Sequence, residues 1–162
     1  MAKSKPIPDG FTTITPYLYV KGAAEAIDFY KKAFGAKELT RMPNATGGIA
    51  HATLQIGSAK VYMCDEMPEM GAKGPKAFGG SPIGLYLYVE DVDAFVNKAV
   101  AAGAKTKVPV ADQFWGDRWG SIEDPFGHEW QVASRVEEVT PEEMDKRMKA
   151  WAAQQGAPAP SA

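Results

Sequence analysis

The sequence predicts an α+β fold: two tandem β-α-β-β-β units forming curved mixed sheets around a cleft, plus a C-terminal helix. Three observations predict it. The first is an internal repeat. Tyr17-Leu18-Tyr19-Val20 recurs as Tyr86-Leu87-Tyr88-Val89, and Gly35-Ala36-Lys37 recurs as Gly103-Ala104-Lys105. The offsets are 69 and 68 positions, so one supersecondary unit is used twice with one residue gained or lost. The second is the Gly- and Pro-rich stretch from Met67 to Pro82, which reads as a linker between the copies and could also close over a site as a lid. The third is Thr140-Pro141-Glu142-Glu143, with Thr as N-cap, Pro at the first helical position and Glu at the third.

The elements follow in order. Thr13 to Val20 is rich in β-branched and aromatic residues and predicts a strand. Ala23, Ala26, Ile27, Tyr30 and Phe34 recur at helical spacing, and Gly35 stops that helix. Lys37 to Met42 predicts a strand, 43–48 a turn, and His51 to Ile56 and Lys60 to Asp65 two more strands joined through Gly57-Ser58. The second unit repeats this order. Gly84 to Val89 is a strand, and Val92 to Ala102 a helix with Asp91 as N-cap. Lys105 to Val108 is a strand, 113–118 a loop, and Trp119 to Glu123 a strand. Asp124-Pro125-Phe126-Gly127 is a tight turn, and Glu129 to Ser134 is the last strand. The final helix runs to about Gln155 and presents Met144, Met148 and Trp151 to a partner or to its own sheet. The domain plan is therefore an N-terminal extension over 1–12, one domain over 13–135 (units 13–66 and 83–135), a C-terminal helix over 136–155 and a frayed tail over 156–162.

Composition bounds the function. A chain of 162 residues with 45% hydrophobic content suits one globular domain. A net charge of −2 leaves no basic stripe for nucleic acid, and Lys3 and Lys5 read as a solvated tail. No run approaches the roughly 20 apolar residues of a membrane span, and the first residues lack the apolar core of a signal peptide. Cys64 is the single cysteine, so no internal disulfide forms, and a cytoplasmic location is expected.

Strand alternation sorts the side chains. Thr15, Tyr17 and Tyr19 share one face, opposite Ile14, Pro16, Leu18 and Val20. Gly84, Tyr86 and Tyr88 share the equivalent face, opposite Leu85, Leu87 and Val89. The aliphatic residues suit packing under the helices. The Tyr/Thr/Gly face is then free to line a cleft, or its tyrosines simply pack across strands.

Two blocks carry a family resemblance. They are Ala26-Ile27-Asp28-Phe29-Tyr30-Lys31-Lys32-Ala33-Phe34-Gly35-Ala36, and Gly116-Asp117-Arg118-Trp119-Gly120 through Asp124-Pro125-Phe126-Gly127-His128-Glu129-Trp130. With the doubled unit they resemble the vicinal oxygen chelate superfamily, which includes glyoxalase I, extradiol dioxygenases, and fosfomycin and bleomycin resistance proteins. They look most like its PhnB-like branch. The resemblance covers roughly 14–135. It implies two units curled around a cleft, a homodimer, and a small-molecule ligand. It also adds Tyr62, Cys64, Gln131 and Ala133 to the cleft face. Metal-dependent members carry His, Glu or Gln on the first and last strands of each unit. Those positions fall here at Thr15, Tyr62, Gly84 and Gln131, where only Gln131 could coordinate. No cofactor is therefore expected.

Other residues could carry chemistry. His51 could act as acid or base near neutral pH, or hydrogen-bond a strand end. His128 follows the turn glycine and is expected exposed, or orienting the hairpin. Asp65-Glu66 could be an acid–base pair, but adjacent strand residues point to opposite faces, so they are expected to cap the linker. Arg118 could pair with a ligand carboxylate or phosphate while Trp115 and Trp119 stack on it, or Asp117 and Arg118 could fix the loop. Cys64 has no neighbouring base and reads as a buried thiol. Met63, Met67 and Met70 could form an adaptable wall or fill gaps.

The leading expectation is a metal-independent cleft that binds an apolar or planar ligand, lined by Thr15, Tyr17, Tyr62, Cys64, Gly84, Tyr86, Trp115, Arg118, Trp119 and Gln131. An alternative is a lyase, isomerase or dioxygenase with a divalent metal seated by residues such as His51, Asp65 and Gln131. A third is a structural or regulatory dimer whose cleft is filled by its own side chains.

Overall fold

The computed structural model describes residues 4–155; the expected tail at 156–162 and Lys3 lie outside them. The first unit runs β1 (Tyr17–Val20), α1 (Ala23–Phe34), β2 (Lys37–Pro43), β3 (Ile49–Ile56) and β4 (Ala59–Asp65). The second runs β5 (Gly84–Tyr88), α2 (Val92–Ala101), β6 (Lys105–Asp112), β7 (Asp117–Glu123) and β8 (Glu129–Arg135), followed by α3 (Pro141–Gln154). The sheets have the orders β1-β4-β3-β2 and β5-β8-β7-β6, one topology used twice. In each, the helix carries the chain from the first strand at one edge to the second at the other; the first and last strands of the unit pair in parallel, and the rest is antiparallel.

Several strand ends shift from expectation, most by one or two residues, β3 for instance starting at Ile49 rather than His51, and three shifts have a clear cause or bear on the site. β1 starts at Tyr17 rather than Thr13, because Pro16 has no N–H for a ladder; its carbonyl still accepts from Tyr62 N at 2.8 Å. β6 runs past Val108 to Asp112, and register shifts around Val108 accommodate Pro109. β7 begins at Asp117, so Asp117 and Arg118 are strand residues; Gln113 N bonds Asp117 O at 2.8 Å and closes a shorter loop.

The helices are capped from the sheets. α1 follows Gly22, which has no capping side chain. Asp65, at the end of β4, supplies the missing acceptor. Its Oδ1 takes Gly22 N at 3.1 Å and Ala23 N at 2.8 Å, while its Oδ2 takes Ile49 N at 2.7 Å. The repeat equivalent 69 positions on is Ser134, whose Oγ takes Val92 N at 3.0 Å. Asp91 caps α2 as expected, accepting from Ala94 N at 2.9 Å, and Thr140 caps α3 through Glu143 N at 3.2 Å. Glu66 does tie the linker, through Gly74 N at 2.6 Å, but Asp65 is a helix cap instead.

One core joins the units. Leu18, Val20, Ile27, Tyr30, Leu54 and Met63 of the first unit cluster with Ile122, Trp130 and Val132 of the second. Phe34 stacks on Phe95 at 5.1 Å, and Tyr30 meets Trp130 edge-on at 5.5 Å. A polar tie runs through the same core. Asp124, only 3% exposed, accepts from Tyr30 OH at 2.5 Å and Trp130 Nε1 at 2.8 Å through Oδ2. Its Oδ1 takes the backbone N–H of Phe126 at 2.8 Å and of His128 at 3.0 Å. This folds the turn inward and buries His128, against the expectation of an exposed ring.

α3 docks on its own unit. Trp151 packs on Phe114 at 5.6 Å, and Arg147 bonds the Phe114 carbonyl at 3.2 Å and Glu137 at 2.8 Å. Met148 stays exposed. Among the described residues no helix is long and apolar enough to cross a membrane.

Candidate functional site

Each sheet packs its aliphatic face under a helix and leaves an aromatic face free. On the first sheet, Tyr17, Tyr19, His51, Thr53, Tyr62 and Cys64 share that face, in register Tyr17↔Tyr62 and Thr53↔Tyr62. The rings of Phe11, Tyr17, His51 and Tyr62 form one cluster with centroids 4.7 to 5.6 Å apart. Tyr17 OH and His51 Nδ1 share a hydrogen bond at 3.0 Å, and His51 Nε2 lies 3.5 Å from Thr53 Oγ1. Burial, then the neighbouring Cys64, raises the Tyr17 phenol to about 12, so it remains protonated at neutral pH. Cys64 is fully buried, and burial pushes its thiol up, which leaves it inert.

On the second sheet, Tyr86, Tyr88, Asp117, Trp119, Gln131 and Arg135 share the free face. Asp117 is its anchor, buried to 1% exposure. Its Oδ2 accepts from Tyr88 OH at 3.0 Å and Tyr86 OH at 3.3 Å, and its Oδ1 from Arg135 Nε at 2.5 Å. Burial alone would raise the carboxyl, but the Arg135, Tyr88 and Tyr86 hydrogen bonds outweigh it and hold the pKa below the usual range. The phenols thus spend their hydroxyls on Asp117. A cavity of about 620 Å³ opens over Tyr86, Tyr88, Trp115, Asp117 and Arg135. Val139 and Met144, just before and within α3, complete its wall. A neighbouring groove of about 900 Å³ shares Tyr86, Tyr88 and Arg135 and runs along β5 to Phe34 and Phe95. The face is therefore not filled by its own side chains. The Trp119 indole N–H is buried there without a partner.

The expected ligand residues fall into two groups. Tyr17, Tyr62 and Cys64 lie on the first face; Gly84, Tyr86, Trp119 and Gln131 lie on the second, with Trp115 at its edge. Thr15 lies half-buried ahead of β1. Neither the 620 Å³ cavity nor the 900 Å³ groove reaches Tyr17. Arg118 turns to the helix side, where Asp93 takes it at 2.6 and 2.8 Å and Asp112 at 3.0 Å. Adjacent strand residues point to opposite faces, so it does not pair with Asp117. The cation on the aromatic face is Arg135, which the sequence reading missed. Its signal was the alternation 131, 133, 135 continued by one step.

The metal positions do not fit a metal. Gly84 has no side chain, and a Cβ there would meet the Gln131 amide at 2.7 Å. Gln131 is the one donor of that set, and a lone neutral amide does not hold a divalent ion. The alternative set does not gather either. His51 is on the first sheet, Gln131 on the second, and Asp65 is committed to three backbone N–H groups. Among the described residues no three His, Cys, Asp or Glu side chains are grouped to hold a metal ion.

Known proteins share this architecture. The chain is 44% identical over 138 residues to an uncharacterised protein of Mycobacterium tuberculosis, covering 83% of this chain and 81% of that one. It superposes on the crystal structure of an Arabidopsis thaliana gene product with a TM-score of 0.61 at 30% identity, covering 76% of this chain and 98% of the other. The PhnB protein of Bacillus cereus has the same fold, with a TM-score of 0.60 at 20% identity over 76% of this chain and 99% of that one. Residues 10–132, nearly all of both units, match the family model, and the chain thereby belongs to the Glyoxalase/Bleomycin resistance protein/Dioxygenase superfamily.

Proposed function

We propose that this protein binds an apolar or planar small molecule on the aromatic face of its second unit, without a metal ion, and that it works as a homodimer. The observation that carries the reading is the 620 Å³ cavity over Tyr86, Tyr88 and Trp115. Its size falls within the range that takes drug-sized ligands. Tyr86 and Tyr88 are pinned by Asp117 through their hydroxyls, so their rings are preorganised and lose little freedom on binding. Stacking on such rings contributes about 0.5–1.5 kcal/mol per contact beyond area burial. The donor set supports the metal-free part of the reading.

Titration of a panel of planar aromatic compounds, followed by tryptophan fluorescence, tests it. Saturable quenching is expected for at least one class. Trp115→Ala or Tyr88→Ala weakens that binding by about 3- to 10-fold, the equivalent of one stacking contact. No saturable quencher in the panel, or unchanged binding in both variants, refutes the reading. Light scattering reads the dimer, and a monomer at micromolar concentration removes that part.

A second reading has one observation in its favour. The Tyr17–His51 hydrogen bond sets an imidazole among aromatic rings on the first face, where it could hold or pass a proton. His51→Gln abolishes any turnover that depends on it while leaving ligand quenching on the second face intact.

A further inference from the structure

Arg135 is the cation of the second aromatic face, and its donors are not all in use. It ends β8, and it lines both the 620 Å³ cavity and the neighbouring groove. A guanidinium carries five N–H donors in a planar fork. The Arg135 Nε donates to Asp117 Oδ1 at 2.5 Å, and its Nη2 to the Tyr88 hydroxyl at 3.4 Å, near the limit of a hydrogen bond. Glu138 Oε2 lies 3.6 Å from Nη1, beyond that limit. Among the described residues, then, both N–H groups of Nη1 and one of Nη2 have no hydrogen-bond acceptor in the protein. They form the end of the fork, an edge that takes a carboxylate through two parallel bonds.

The neighbouring arginines differ. Arg118 bonds Asp93 and Asp112, and Arg147 bonds Glu137 and Glu143, so each already holds two carboxylates. Arg135 holds one at hydrogen-bond distance, and that one is buried. Asp117 is 1% exposed, whereas the Arg135 side chain is 45% exposed. Asp117 also accepts from Tyr86 and Tyr88 on its other oxygen. Of this ion pair, a molecule entering the cavity meets the positive member. Coulomb interaction falls with distance, so the nearer charge dominates. The rest of the wall is Tyr86, Tyr88, Trp115, Val139 and Met144, which carry no charge.

The guanidinium is also held beside an aromatic surface. Its carbon lies 5.9 Å from the Tyr88 ring centroid. Asp117 ties both the Tyr88 hydroxyl and the Arg135 Nε, so the ring and the fork are preorganised together.

On the reading that this cavity takes a planar molecule, on which the next step rests, we propose that the ligand is an aromatic acid: its ring stacks against Tyr88 and Trp115, and its carboxylate accepts from the free end of the Arg135 fork in place of Glu138.

Three probes with one ring system test it by isothermal titration calorimetry: the anion 2-naphthoate, the neutral 2-naphthamide and the cation 2-naphthylmethylammonium. At neutral pH and low salt, 2-naphthoate is expected to bind about tenfold tighter than the amide, equivalent to about 1.4 kcal/mol, with the cation weakest. Added salt weakens the acid and leaves the amide unchanged. Arg135→Gln brings the acid-to-amide ratio to about one, and Arg135→Lys keeps part of it, because Lys retains the charge and loses the fork. Taking the ratio within each variant cancels any general loosening of the cavity. Glu138→Gln, at an exposed position, tightens 2-naphthoate about 2- to 3-fold and leaves the amide alone. Equal binding of acid and amide overturns the proposal and leaves the cavity reading standing. So does a cation that binds tightest, or an acid indifferent to both Arg135→Gln and Glu138→Gln. If none of the three binds, the proposal falls, and the cavity reading falls with it only when the wider panel of planar compounds gives no quencher either.

Discussion

Tyr30→Phe removes a single oxygen and should loosen the joint between the two units. Tyr30 belongs to α1 of the first unit and Asp124 to the turn before β8 of the second, and their 2.5 Å hydrogen bond is a direct polar link between them. The Asp124 carboxylate has four donors: Tyr30 OH, Trp130 Nε1 and two backbone N–H groups. At 3% exposure it has little water to replace a lost donor. A hydrogen bond to a charged group contributes about 1.5–3 kcal/mol. Trp130 still holds the same oxygen after the change, so about 2 kcal/mol is expected. For a chain of this length that is roughly 4–8 °C in Tm. Asp124→Ala goes further, because it strands both buried side-chain donors and costs about 4 kcal/mol or more. Urea unfolding is the assay, with the midpoint falling and the slope constant. A double-mutant cycle of Tyr30→Phe with Asp124→Asn isolates the pair and should return a coupling above about 1 kcal/mol. A Tyr30→Phe change within about 0.5 kcal/mol of the parent would show that this bond does not join the units.

Other expectations follow from the second face. Asp117 has a pKa below its unfolded value, so its stabilising contribution is present above about pH 4 and is lost as pH falls through the lowered folded value. Asp117→Asn removes that contribution. The parent's stability should therefore fall more steeply than the variant's below about pH 4, read as Tm against pH; parallel acid limbs would contradict it. Gly116 has φ +94°, and a Cβ there would run into the Glu137 carbonyl and meet Val139 at 2.9 Å. Gly116→Ala should displace the segment that leads into α3 and lower Tm by several degrees, with faster proteolysis of the C-terminal helix; an unchanged digestion pattern would count against this docking. Asp65→Ala strands three backbone N–H groups at the start of α1 and of β3, and should cost about 2 kcal/mol in urea unfolding.

Much of the fold is written locally in the chain. The repeat, the α1 stripe from Ala23 to Phe34, the Thr140 cap and the Asp124-Pro125-Phe126-Gly127 turn each depend on neighbours within a few residues. Alternation likewise placed Tyr17 and Tyr86 on the free faces, because a strand's period decides it, and the family resemblance added Tyr62 and Gln131. What escaped the sequence depends on distant partners. Arg118 is claimed by Asp93, and Asp117 by Arg135, across different strands and helices. His128 is pulled inward by a carboxylate whose own position is fixed by Tyr30, 94 residues earlier. Asp65 caps a helix 42 residues before it because the parallel β1–β4 pairing brings the two together. Asp65 also shows why an acidic pair in sequence is weak evidence for chemistry: its lone pairs are spent on backbone N–H groups.

The most direct test of a metal-free aromatic site is the affinity of the best planar ligand with saturating EDTA, and again after adding zinc, nickel or manganese. Tryptophan quenching should give the same dissociation constant in every case, weakened about 3- to 10-fold in Trp115→Ala. Binding that vanishes with chelator and returns with one ion per chain would contradict the account.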